Sequence, residues 1–179
     1  MTRGDTVTVA THRLGELVQR PLVIPEYQRR YCWGPEQVEL LLADIEQQIN
    51  AADAPPLFLG TVILHQEPAT GAENSKDNLV DGQQRCLTLV LLLRALEMIE
   101  PLAVKQLLQA QFPDNQSQRN LGANFQQIER YLATEPGIRL RSNKLALLDQ
   151  LQFVVISITS IDQAFAFFDS QNTAGKRLS

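Results

Sequence analysis

Histidine and cysteine are nearly missing from this chain. The two histidines, His12 and His65, lie far apart, so a paired-histidine metal site is not expected from these residues and a His-Asn-His nuclease centre cannot be assembled from them. The two cysteines, Cys32 and Cys86, are too few for a disulfide framework and point to an intracellular, cytoplasmic setting. Cys86 falls in an apolar helical pattern, and Cys32 stands between Tyr31 and Trp33; packing is the expected role of both. No run reaches the ~18 apolar residues needed to span a bilayer, and residues 1–13 hold no apolar signal core. Excess positive charge is also lacking. The formal net charge of -4 argues against broad, sequence-blind binding to a phosphate backbone, although a local basic pocket is compatible with it. There is no G-x-x-x-x-G-K-[ST] phosphate loop, and no internal repeat.

What is present suffices for one folded domain of 179 residues, 44% of them hydrophobic, which is enough to bury a core. Residues 6–10 (Thr-Val-Thr-Val-Ala) read as a strand, and 14–19 as a short helix. Pro35 opens a helix with Val38, Leu41, Leu42, Ile45 and Ile49 on one face. The nearly continuous apolar run 57–64 reads as a central strand covered on both faces. Residues 68–78 read as a mobile loop. Leu79 and Val80 lead into a turn at Asp81-Gly82, and 83–97 form a helix apolar on nearly all sides. The stretch 101–151 is helical, punctuated by Pro113, Pro136 and Gly137. Residues 153–158 return as a buried strand, and Ser160 with Gln163 resembles a capping box opening a last helix. Asn172 and Gly175 look like the end of that helix and a turn. The fold class expected is α+β, a small mixed sheet with a helical insertion over 101–151.

Three stretches could carry chemistry. In 24–33, Pro25 fixes the backbone and presents Tyr27, Gln28 and Arg29. The guanidinium suits phosphate oxygens, and the amide suits a base edge or ribose. Tyr31 and Trp33, with Arg29 and Arg30, suit stacking on a flipped or modified base. An ordinary loop whose aromatics cap the core accounts for the same residues. In 80–85, a strand end, Gly82 and a helix start leave backbone N–H groups free to attract an anion, with Arg85 on the first turn. Asp81 would orient a water, hold a metal or simply cap the helix. In 168–175, a helix end and turn explain the residues equally well.

In this order, Ile24-Pro25-x-Tyr27-Gln28-Arg29-x-Tyr31-x-Trp33, Phe58-Leu59-Gly60, Asp81-Gly82-Gln83-Gln84-Arg85, and Phe168 with Asn172 and Gly175 resemble the N-terminal domain family of GmrSD-type restriction and phage-defence proteins, over nearly the whole length. The family's usual leucine after the arginine is replaced here by Cys86. The resemblance implies a ParB/sulfiredoxin-like fold, with a core of 1–100 and 152–179 around the insertion. It implies binding and hydrolysis of an NTP (GTP, ATP or another), with Mg²⁺ as an accompanying ion, coupled to restriction of modified phage DNA. Asp81, Gln84 and Arg85 would be catalytic. Tyr27, Gln28, Arg29, Gly82, Gln83 and Asn172 would bind nucleotide, and Arg30, Tyr31 and Trp33 would contact DNA. Two alternatives accompany this expectation: a non-catalytic modified-DNA recognition module, and a ParB-like nuclease using Asp81 with Asp44. Expected partners are the nucleotide, modified DNA, a nuclease domain or subunit that cuts it, and a second copy of the chain. Because the sequence stops inside its fourth motif, the chain is expected to be a piece of a longer protein whose nuclease part is absent.

Overall fold

The computed structural model describes residues 6–27, 30–51, 53–71 and 74–176, with side chains as far as 170. Five strands make one sheet: β1 (Val7–Arg13), β2 (Leu22–Val23), β3 (Leu57–Glu67), β4 (Lys76–Asp81) and β5 (Leu151–Ile158). Their order is β1-β5-β3-β4-β2. The pairs β1–β5 and β3–β4 are antiparallel, while β3–β5 and β2–β4 are parallel. The sheet is therefore mixed, as the α+β reading requires, and the apolar run in β3 occupies its centre.

Period-two alternation gives each inner strand two buried faces. Val62, Leu64, Leu79, Phe153 and Val155 enter the main core, whereas Ile63, Val80, Ile156 and Ile158 form a second, smaller cluster with Ala164. Helices α1 (Leu14–Leu17), α2 (Pro35–Asn50), α3 (Gln83–Ala95), α4 (Leu102–Leu108), α5 (Asn115–Leu132), α6 (Glu135–Ser142) and α7 (Ala146–Gln150) contribute to the first face. Helix α8 (Ile161–Lys176) covers the second. Each fully buried Leu, Ile or Phe here stabilises the fold by roughly 1.5–3 kcal/mol relative to exposure. The 101–151 stretch is thus part of the central core: Val104, Leu107, Ile128, Leu132, Leu140 and Leu147 are buried in the same cluster as Leu87 and Leu91.

Several local expectations are corrected. The polar stretch 68–78 gives way to strand at Lys76, because pairing with β3 recruits the polar residues Asp77 and Asn78. Pro136 and Gly137 lie within the first turn of α6, where proline is tolerated. Gly137 is required there, since a Cβ would run into the Tyr131 carbonyl at the end of α5. Helix α8 does not stop at Asn172 or turn at Gly175 but continues through both to Lys176. It starts three residues after β5 ends and doubles back over the sheet, placing Ala164 and Phe168 on Ile63, Val80, Ile156 and Ile158.

Candidate functional site

The junction of β4 and α3 is built around two glycines. Gly82 is the N-cap residue of α3 with φ +90°, a left-handed conformation open to glycine at little cost. A Cβ there would stand 3.1 Å from Val62 Cγ2, so the turn packs directly on β3. No side chain caps this helix start, and its first turn carries no acidic residue. Asp81 is therefore not the capping residue. The second glycine, Gly60, sits with φ +106° in β3, where the register against β5 shifts between Phe58 and Thr61. Its missing side chain leaves room for the guanidinium of Arg85: a Cβ at position 60 would stand 2.7 Å from Nη1 and 3.2 Å from Cζ.

Arg85 is half-buried. Among the described residues no carboxylate lies within ion-pairing distance of it, although Asp81 is one helical turn before it. Both charges act on the Cys86 thiol, Arg85 drawing its pKa down and Asp81 raising it. Burial outweighs both and pushes that thiol up to about 12, so Cys86 is an inert core group. The corner thus combines a half-buried cation, an uncapped helix N-terminus and a half-buried carboxylate. Such a combination is suited chemically to an anion, since free helix-start amides and a guanidinium both favour negative charge.

Gln84 points elsewhere. Its Oε1 accepts from the N–H groups of Cys32 at 2.8 Å and Trp33 at 3.2 Å, and its Nε2 donates to the Arg30 carbonyl at 2.9 Å. These bonds staple residues 30–33 to the first turn of α3 and engage both ends of the Gln84 amide with backbone. Gln83 is buried and engaged within the protein.

Tyr31 corrects an expectation. It has no exposed surface, so it cannot stack on a base. Its hydroxyl lies 2.7 Å from Thr88 Oγ1 and accepts from Asn124 Nδ2 at 3.0 Å, while its N–H donates to Ser117 Oγ at 2.8 Å. Asn124 Nδ2 also donates to the Trp33 carbonyl, and Asn120 Nδ2 to that of Tyr31. Trp33 is partly buried against the core. Arg30 is 74% exposed in its side chain, its Nε 4.0 Å from Asp114. With Ile24, Pro25, Phe112 and Pro113 it borders a cleft of about 650 Å³. Cys32, expected to pack, is exposed. Tyr27 is 51% exposed, with its ring edge-on to Phe165 at 5.2 Å. Burial and then the charge of Glu67 raise its hydroxyl pKa. Glu67 is seven residues from Gly60, roughly 20 Å along a strand, which sets Tyr27 toward the other end of β3 from Arg85. Gln28 and Arg29 lie outside the described residues, as does the side chain of Asn172.

Residues 14–179 match the family described as GmrSD restriction endonuclease, N-terminal domain. The chain belongs to that family. A search of curated proteins found no match. Membership assigns this GmrSD N-terminal domain to a restriction system. Among its described residues no helix is long and apolar enough to cross a membrane. No group of three or more His, Cys, Asp or Glu among them could hold a metal ion, so Asp44, exposed on α2, forms no such centre with Asp81. Gly60 falls in the Phe58-Leu59-Gly60 motif but has no role in the site as read from the sequence. A glycine inside an apolar strand was the available signal, since it marks a bulge or a close approach.

Proposed function

We propose that this GmrSD N-terminal domain binds and hydrolyses a nucleoside triphosphate at the corner formed by Gly60, Asp81, Gly82 and Arg85, and so acts as the nucleotide-dependent sensor of a restriction system directed at modified DNA. The observation that carries the reading is the Arg85 guanidinium, half-buried on Gly60 beside the uncapped start of α3, with no carboxylate partner among the described residues. An unneutralised, partly desolvated arginine is costly to keep unless an anion completes it. In this reading Arg85 and the first-turn amides of α3 hold phosphate oxygens. Asp81 orients the water that attacks the terminal phosphorus and accepts its proton as the bond to the leaving oxygen breaks. Asp81 is the one carboxylate at this corner that would hold Mg²⁺, a single carboxylate beside a phosphate being a usual setting for that ion, and the ion would supply positive charge to the phosphate. Gln84 keeps a positioning role.

Calorimetric titration with GTP and ATP tests the proposal. Arg85→Ala is expected to weaken binding of the preferred nucleotide by about 10- to 150-fold, the value of a charge-assisted hydrogen bond. Asp81→Asn is expected to retain binding and lose phosphate release. Equal affinity in wild type and Arg85→Ala would overturn the assignment. For DNA, the exposed Arg30 at the mouth of its cleft is the favoured contact, since Tyr31 is unavailable. Binding through it would weaken with added salt.

A further inference from the structure

Strand β1 is one edge of the sheet, and residues 7–11 are exposed. Val9 is 63% exposed and Val7 40%. The stretch Val7-Thr8-Val9-Ala10-Thr11 holds no charge, proline or glycine, and its register against β5 runs without a bulge. Natural sheets usually blunt such an edge with exactly those devices. Among the described residues no strand pairs with the outer side of this edge, and an uncharged, mostly β-branched edge is a template for another strand.

The parity of its hydrogen bonds says which groups are available. The Thr159 N–H donates to the Thr6 carbonyl at 3.1 Å, and the Thr6 N–H turns the same way, to Thr159 Oγ1 at 2.9 Å. In an antiparallel ladder the residues bonded to one neighbour alternate with those facing away. Thr6, Thr8, Ala10 and His12 therefore face β5, and the amides and carbonyls of Val7, Val9, Thr11 and Arg13 face outward. The Arg13 N–H is already taken by Glu16 Oε2 at 2.6 Å, where α1 begins. The open edge is thus Val7, Val9 and Thr11, with Val9 at its middle.

We infer that β1 pairs antiparallel with β1 of a second copy of this chain, about a two-fold axis at Val9. An edge whose outward-facing residues are centred on one of their own number is complementary to itself. Val9 meets Val9 as a hydrogen-bonded pair, and Val7 meets Thr11 twice, giving about six main-chain bonds. Every opposed pair over this stretch is β-branched or small, with no like charges in register. The joined sheet continues across both copies, and this inference does not depend on the nucleotide reading.

Light scattering on the purified chain at rising concentration, together with amide exchange, tests it. A mass approaching twice 20.1 kDa is expected, with concentration-dependent protection of the Val7, Val9 and Thr11 amides. Val9→Lys, on an exposed position, is expected to fold and remain monomeric. Val9→Pro, which removes an outward N–H only, should do the same, and circular dichroism checks that both are folded. A monomer at all concentrations, which would leave the edge to some other strand, overturns the inference. So does a dimer that survives Val9→Lys, or one in which those three amides exchange as freely as before.

Discussion

At the scale of single residues, the same chemistry serves opposite ends depending on burial. Tyr31 stands in a stretch rich in arginine and aromatics, yet its hydroxyl bridges Thr88 and Asn124 inside the core. Tyr31→Phe leaves part of that network unmatched. It is expected to lower stability by about 1–3 kcal/mol in a denaturant titration while leaving DNA affinity unchanged. A loss of DNA binding without a loss of stability would return Tyr31 to the surface role its neighbours suggested. Local sequence could not separate the two, because the deciding partners, Ser117 and Asn124, come from a helix more than eighty residues away. Arg85 was legible because Gly82 immediately before the helix needs a reason. The cradle at Gly60 was harder to find, since it required knowing that β3 and α3 touch.

Among the elements, strands and helices with a strong internal period were readable, including central β3, buried α3 and the return of the chain in β5. What escaped was determined by partners. Lys76, Asp77 and Asn78 become strand because β3 offers a ladder, and α6 forms although it opens with proline and glycine. The link between α3 and the loop 30–33 is of this kind as well: the Gln84 amide makes three of its bonds, beside the contact of Tyr31 with Thr88. Gln84→Ala strips three backbone groups of their partner. Trp33 is the single tryptophan, so a red-shifted emission and easier acrylamide quenching are expected, with a stability loss of about 1–3 kcal/mol. Gln84→Glu keeps acceptors for the Cys32 and Trp33 N–H groups but loses the donor to Arg30, and should fall between the two. Unchanged Trp33 emission in Gln84→Ala would show that α5 and the Tyr31–Thr88 contact hold the loop without Gln84.

For the molecule as a whole, the helices of 101–151 are no appendage, because they share one core with α1, α2 and α3. That core holds the Cys86 thiol, which burial raises from 9.0 to about 12. The unfolded chain releases this proton near 9.0 while the folded chain keeps it, so the unfolded state binds fewer protons in that window. Stability is therefore complete below pH 9.0 and falls as the pH rises toward about 12, by up to about 1.4 kcal/mol per pH unit from this group. The raised hydroxyls of Tyr31 and Tyr131 act in the same direction. Denaturation midpoints of wild type and Cys86→Ala across that range are expected to converge as the pH climbs, and parallel curves would count against the burial argument. The inertness of Cys86 has a practical counterpart in Cys32, whose exposed thiol sits on the stapled loop. In this chain Cys32 is the one exposed thiol, its N–H bonded to Gln84 in the first turn of α3: a maleimide dye should attach there and report on the proposed nucleotide corner without any substitution being made.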